Sequence, residues 1–383
     1  MPSRLVEGLA GAAILGVALC SEAVAVATGV LDEGFKERLF GAAPPPETWG
    51  SYLAPARGFE AYIVYEIVRC FAAHAGSYLL LGACRDAWGA LQKENNRQIL
   101  ARGVMNVCFL AACGYRGCAM WRGWAADAGW TTVGQAASHV HSALTVGCDA
   151  AEGSWLTFWK ASDGAGCAPL YFVPATAHAR LYDYDASFQR LAVVMFAFQI
   201  KNLADTVYFG DGAVFVVHHV VTLTVALFAL HPYSHLYGSF FFGVSEVSTT
   251  VLAVVALFDA EHGVAELERD FPTLRVAIGG LFAVSFAFVR CVLWPYLTYF
   301  YCRDALDVLA DDPQIHSPFL VKLFMGGLLT LSVMQAVWLF QIVERMCCGR
   351  AEILASCCPS RGDRQPSSAA KIIDDGLRLA ERR

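Results

Sequence analysis

The chain has 383 residues, a net charge of −6, 56% hydrophobic residues and only 16% charged ones, against roughly 25% charged in a soluble domain. A mean hydropathy of +0.46 excludes an ordinary water-soluble enzyme, and without a basic cluster to neutralise phosphates no nucleic-acid partner is expected. The fourteen cysteines fall mostly inside apolar runs, where they act as small hydrophobes, so a disulfide-knit scaffold is excluded too.

Apolar blocks run at about 8–30, 59–84, 98–118, 187–209, 213–230, 237–259, 273–300 and 318–345. About 20 helical residues cross a bilayer core, so these blocks predict an all-α, polytopic transmembrane helix bundle integral to the membrane. The first block follows Arg4 and contains AVA at 23–25, which reads either as a retained helix or as a signal peptide with its cleavage site. Residues 1–58 are accordingly an N-terminal apolar helix or signal peptide followed by a lumenal segment. Seven helices, eight if the first is retained, then occupy the domain 59–348.

Short cytosolic loops keep Lys and Arg. Arg85, Lys93 and Arg97 mark the connection 85–97, and Arg350, Arg361, Arg364, Lys371 and Arg378 mark the tail; both are expected in the cytosol. Alternation then puts the long loop 119–186 and the acidic stretch 301–317, with Asp304, Asp307, Asp311 and Asp312, on the lumenal side. Cys148 and Cys167 in the first of these either pair or stay free. Cys347, Cys348, Cys357 and Cys358 lie where S-acylation occurs or are plain juxtamembrane thiols. Residues 349–383 mix charge with Pro, Ser and Gly and read as a disordered cytosolic tail.

Ionisable side chains inside a span cost about 2.5–3.5 kcal/mol on insertion scales and by default face the bundle interior. Glu66 and Arg69, three apart, neutralise each other on one helix face. Asn202 and Asp205 share a face of the 187–209 helix, with Lys201 turned partly away; His218, His219 and Thr222 form an arc on the next helix; Glu246, Thr249 and Thr250 form one on the helix after that. Facing one another, these arcs would supply acceptors, donors and a proton relay. The plain alternative is a buried polar lock between helices.

The HHVVT run at 218–222 resembles the His-His-x-x-Thr element of the TLC-domain family, which includes ceramide synthases and translocon-associated proteins. FQIKNLAD at 198–205 is similar to that family's Tyr-Phe-Ile-x-Asp-Leu stretch, with Asn202 where aspartate is usual and Asp205 one turn on. VSEVSTT at 244–250 resembles the Glu-x-Ser-Thr pattern of the smaller TLC proteins and departs from the acidic element of ceramide synthases. Arg290, Pro295 and Trp338 fit later family positions, the whole covering roughly 90–348.

The resemblance implies a ring of helices around a central lipid-sized cavity with the histidine pair inside, and a multi-pass protein, expected in the endoplasmic reticulum, that binds or remodels membrane lipids in lipid homeostasis. It also implies the alternative of an acyl-CoA-dependent lipid N-acyltransferase, or a non-catalytic cargo or translocon accessory. His218, His219, Asp205 and Glu246 are the catalytic candidates, an imidazole serving as base or nucleophile. Asn202, Thr222, Ser248, Thr249, Arg290 and Trp338 are the candidates for lining the cavity. No cofactor is expected beyond acyl-CoA as co-substrate. Phe215 leaves the His-x-x-His-His iron box incomplete, so no metal is expected.

Overall fold

The computed structural model describes residues 4–14, 16, 59–127, 176–259, 262–311 and 317–356. The chain is all-α, as expected, and each of the seven downstream apolar blocks forms a helix. Cys148, Cys167, Cys357, Cys358 and the tail beyond 356 lie outside the described residues.

Helix α1 (Phe59–Ala83) leads through a 3₁₀ turn, Gly89–Gln92, into α2 (Glu94–Asp127). After a short α3 (Ala177–Tyr182), α4 (Ala186–Phe209) starts where the Asp185 carboxylate accepts the Phe188 N–H. It stops at Gly210, whose φ of 71° is the left-handed conformation that ends helices. Gly212, at φ 99°, completes the tight reversal into α5 (Ala213–Phe228). Next come α6 (His235–Ser239), a π-helical segment Phe240–Val244 and α7 (Glu246–Ala256), forming one rod. Short α8 (Ala265–Asp270) precedes α9 (Pro272–Phe286), a second π segment Ala287–Leu293 and α10 (Trp294–Asp311). Helix α11 (Pro318–Ser356) closes the described chain.

Among the described residues, four segments are long and apolar enough to cross a membrane: Glu94–Trp121, His235–Ala256, Pro272–Ala310 and Pro318–Glu344. The chain divides into a body, Met1–Ala336, and a second unit, Val337–Arg383. Within the body α2 packs on α7, α1 and the first π segment, and α4 packs on α5 and α1. Their shared core joins Phe109, Phe188, Leu191, Phe198, Tyr237 and Phe240. Outward faces are apolar instead of charged, as hydrocarbon requires: on α5, Val214, Val217 and Val220 are 56%, 51% and 45% exposed.

Polar contacts gather at the two ends of this body. At one end Trp88 donates to Asp270, Lys93 and Asn96 both reach Glu266, and Arg102 clamps Asp211 in the α4–α5 turn. Arg4 pairs with Asp86 at that end, and the first described helix lies against α1 with Gly8 over Ala83 and Gly11 over Leu80. At the other end Arg180 forks onto Asp304 with Nε–Oδ2 2.6 Å and NH2–Oδ1 2.7 Å, and His235 Nδ1 accepts the Asp185 N–H.

One boundary differs from expectation. The stretch 301–317 was expected as an acidic lumenal loop, yet α10 runs through it to Asp311. Asp304 is fully buried, bonded by Arg180 and by the Tyr237 hydroxyl, while Asp307, about one turn on, is exposed. Asp304 and Asp307 are therefore helix residues, one buried and one exposed, and not part of a solvated loop. Likewise α2 continues to Asp127, into the stretch expected as the start of the 119–186 loop.

Candidate functional site

On α4 the register brings Asn202 and Asp205 inward, each 7% exposed, and also Lys201, which is fully buried. The ammonium of Lys201 is bonded to the Asp205 carboxylate one turn on. Arg102 of α2 reaches the same carboxylate at 3.5 Å and His74 of α1 at 3.9 Å. Arg102 also grips Asp211, whose carboxylate accepts from Thr206 at 3.2 Å. Two cations and two carboxylates thus neutralise one another across three elements, the condition under which buried charge is tolerated.

The histidines occupy the inner side of α5, both partly buried. Their rings meet edge to face, centroids 5.1 Å apart. His219 Nδ1 lies 2.7 Å from Gln199 Oε1 on α4. The amide oxygen can only accept, so Nδ1 carries the proton and Nε2 keeps its lone pair. His218 is within electrostatic range of Arg290, and His219 within range of Arg102, Asp205 and Asp211. The pair therefore stands between two charged clusters.

The second cluster lies between α7 and the π segment of 287–293. Arg290 donates to Ser248 Oγ at 3.1 Å, to the Ser245 carbonyl at 3.1 Å and to Thr249 Oγ1 at 2.6 Å. Glu246 stands 3.7 Å away, and the guanidinium covers the Trp294 ring at 4.9 Å. The five-residue helical turn of each π segment shifts the register of the following side chains, a distortion frequent at functional sites.

The structure thus gathers His218, His219, Asp205, Glu246, Ser248, Thr249 and Arg290 around the α2, α4, α5 and α7 helices, with three changes of role. Thr222 returns its hydroxyl to the His218 carbonyl at 2.9 Å and so serves its own helix. Gln199, not a carboxylate, holds the His219 Nδ1–H, while Asp205 is bound to cations and Glu246 faces Arg290. Trp338 lies in the second unit. Asn202 Oδ1 is buried with no hydrogen-bond partner among the described residues, an acceptor left open in the interior.

A cleft of about 460 Å³ opens beside the first cluster, between α1, α2 and α4. Its walls are Phe71, His74, Tyr78, Glu94, Gln98, Asp205, Tyr208 and Phe209. Neither His218 nor His219 lines this cleft, so it is not the cavity expected around the histidine pair; of the sequence candidates, Asp205 is on its wall. Lys201, Gln199 and Arg102 were not among the sequence candidates. The i,i+4 spacing of Lys201 and Asp205 signals their pairing, whereas nothing in the spacing marks Gln199.

Apolar rods, a lipid-facing exterior and a charged, histidine-bearing interior define a polytopic helical membrane protein with a buried polar site. Residues 155–344 match the family model of the TLC domain, and the chain belongs to the TLC-domain family. The match ends close to the expected limit of 348 and begins well after the expected 90. No curated protein and no solved structure matches the chain.

Proposed function

We propose that this protein binds or remodels membrane lipids and contributes to membrane lipid homeostasis, acting in the endoplasmic reticulum with the 85–97 connection and the C-terminal tail in the cytosol. The observation that carries the reading is the cleft whose wall includes Asp205, one carboxylate of the charged network beside His219. An apolar exterior with a polar recess suits an amphiphile that enters from the bilayer and leaves its polar end against charge. Purified protein in nanodiscs should retain lipid, and deletion should alter the lipidome. His218→Ala and His219→Ala should remove that phenotype while leaving membrane insertion intact. Loss of folded protein in both variants would instead assign the histidines to holding the helices together, and an unchanged lipidome would sink the reading.

A second reading, an acyl-CoA-dependent lipid N-acyltransferase, is favoured by the His219–Gln199 bond. It leaves Nε2 free to take a proton from an acceptor amine or to receive an acyl group. Labelled acyl-CoA offered with a panel of amine and lysolipid acceptors tests it; absence of turnover and of an acylated protein by intact mass removes it.

A further inference from the structure

The cleft between α1, α2 and α4 has a composition that selects its occupant. Four of its walls are aromatic, Phe71, Tyr78, Tyr208 and Phe209, and two are carboxylates, Glu94 and Asp205. The cations that balance those carboxylates, Lys201, Arg97 and Arg102, are not part of the wall. The surface offered to a guest is therefore ring-lined with two carboxylates turned toward it, beside His74 and Gln98, and their balancing positive charge is set behind. Such a surface attracts a cation, through the carboxylate field and through ring faces. Two of the rings already do this within the protein: Arg97 lies 5.8 Å over Tyr78 and Arg102 lies 5.0 Å over Phe209.

The hydrogen-bonding state of the wall narrows the choice of cation. Glu94 accepts from Tyr78, Arg97 and Gln98, and Asp205 accepts from Lys201 with Arg102 close by. A primary ammonium must replace its lost water with three acceptors, whereas Glu94 and Asp205 Oδ2 are already engaged and Asp205 Oδ1, with His74 at 3.9 Å, is the carboxylate oxygen left open. A quaternary ammonium has no N–H to satisfy; it needs only the carboxylate edge and ring faces, for which Phe71 and Tyr208 stand beside the two rings that arginines cover.

Depth agrees as well. Glu94, Gln98 and Tyr208 sit at the bundle end marked by Asp86, Trp88 and Asp270, the level where polar head groups and Tyr side chains of a membrane protein meet.

We infer that this cleft holds the quaternary ammonium of a choline-bearing lipid head group. The inference rests on the lipid-handling function proposed above and gives it a substrate class. Asp205 belongs both to the cleft wall and to the network around Arg102 whose charges act on His219, so the head-group site adjoins the charged interior.

The test uses the full chain in nanodiscs that contain equal amounts of choline, ethanolamine and glycerol phospholipids with identical acyl chains, followed by mass spectrometry of the lipids retained on detergent extraction. Choline lipid should be enriched about tenfold over glycerol lipid and should exceed ethanolamine lipid; Tyr208→Ala should reduce the enrichment about threefold to tenfold, the range a ring–cation contact spans. Glu94→Gln, which keeps the acceptor and removes the charge, should reduce it similarly. Tyr115→Ala, at a 55% exposed ring of α2 that does not line the cleft, should not. Tyr208 is 72% exposed, so its truncation leaves the fold intact and keeps the test decisive. Ethanolamine enriched over choline, lipid retained without head-group preference, or a preference indifferent to Tyr208 and Glu94, overturns the inference and leaves lipid handling standing. Retention of no lipid at all overturns both.

Discussion

Arg290 is a buried guanidinium whose partners are two hydroxyls, a carbonyl and one carboxylate. Truncating it does more than delete those bonds, because Glu246, 9% exposed, would be left with its cation gone. Breaking a buried pair from one side typically costs about 3–5 kcal/mol. Arg290→Ala should therefore lower the thermal unfolding temperature in nanodiscs substantially, Arg290→Lys should lie between, and Arg290→Ala combined with Glu246→Gln should recover part of the loss. An additive double variant would show that the two side chains do not interact. Charged residues of this kind announce themselves in an apolar run, which is why Arg290, Glu246 and Asp205 were legible in the sequence. Gln199 was not: it is uncharged, and its partner His219 lies on another helix. Lys201 was read as turned away although its spacing to Asp205 is that of a helical ion pair.

The position of the second charged cluster depends on how closely α2 approaches the rod of α6, π segment and α7. A Cβ on Gly243 would sit 2.6 Å from the Gly117 Cα, closer than real Cβ contacts occur. The two glycines let backbone meet backbone, the same small-residue packing that membrane helices use where no hydrophobic driving force separates them from lipid. Gly243→Ala should consequently split α2 from the π segment, reducing the yield of monodisperse protein in fluorescence-detected size exclusion. Gly279→Ala, where a Cβ meets open space, should leave the yield unchanged or improve it, since alanine favours helix over glycine. Equal behaviour of the two variants would show that the close crossing is dispensable. At this scale each of the seven apolar blocks from residue 59 onward forms a helix, because block length and hydropathy are what a bilayer selects. The π segments and the extension of α10 escaped that reading. A π turn depends on tertiary partners, here Arg290 with Ser245 and Ser248. Asp304 looked solvated because the guanidinium that neutralises it, Arg180, lies 124 residues away.

For the body as a whole, the grouping of contacts at its ends fixes which connections share a side of the membrane. The loops that carry Asp86 and Trp88, Asp211, and Glu266 and Asp270 meet one another at one end. The segments around Arg180, Asp185 and His235 meet at the other. Seven alternating helices would produce this division, and the basic residues Arg85, Lys93 and Arg97 predict that the first end faces the cytosol. The prediction joins an arrangement drawn from contacts to an orientation drawn from charge, so the two can fail separately. A short epitope inserted after Arg85 or after Arg269, both exposed, should be reached by antibody once the plasma membrane alone is permeabilised. One inserted after Asp183, also exposed, should be reached only when internal membranes are opened as well. If all three accessibilities reverse together, the fold stands and the charge rule has misassigned its orientation. If the sites after Arg85 and Arg269 report opposite sides, the contacts of Trp88 with Asp270 and of Lys93 with Glu266 do not form in the membrane. The helix alternation that brings Asp205, His219 and Arg290 into one interior would then be wrong with them.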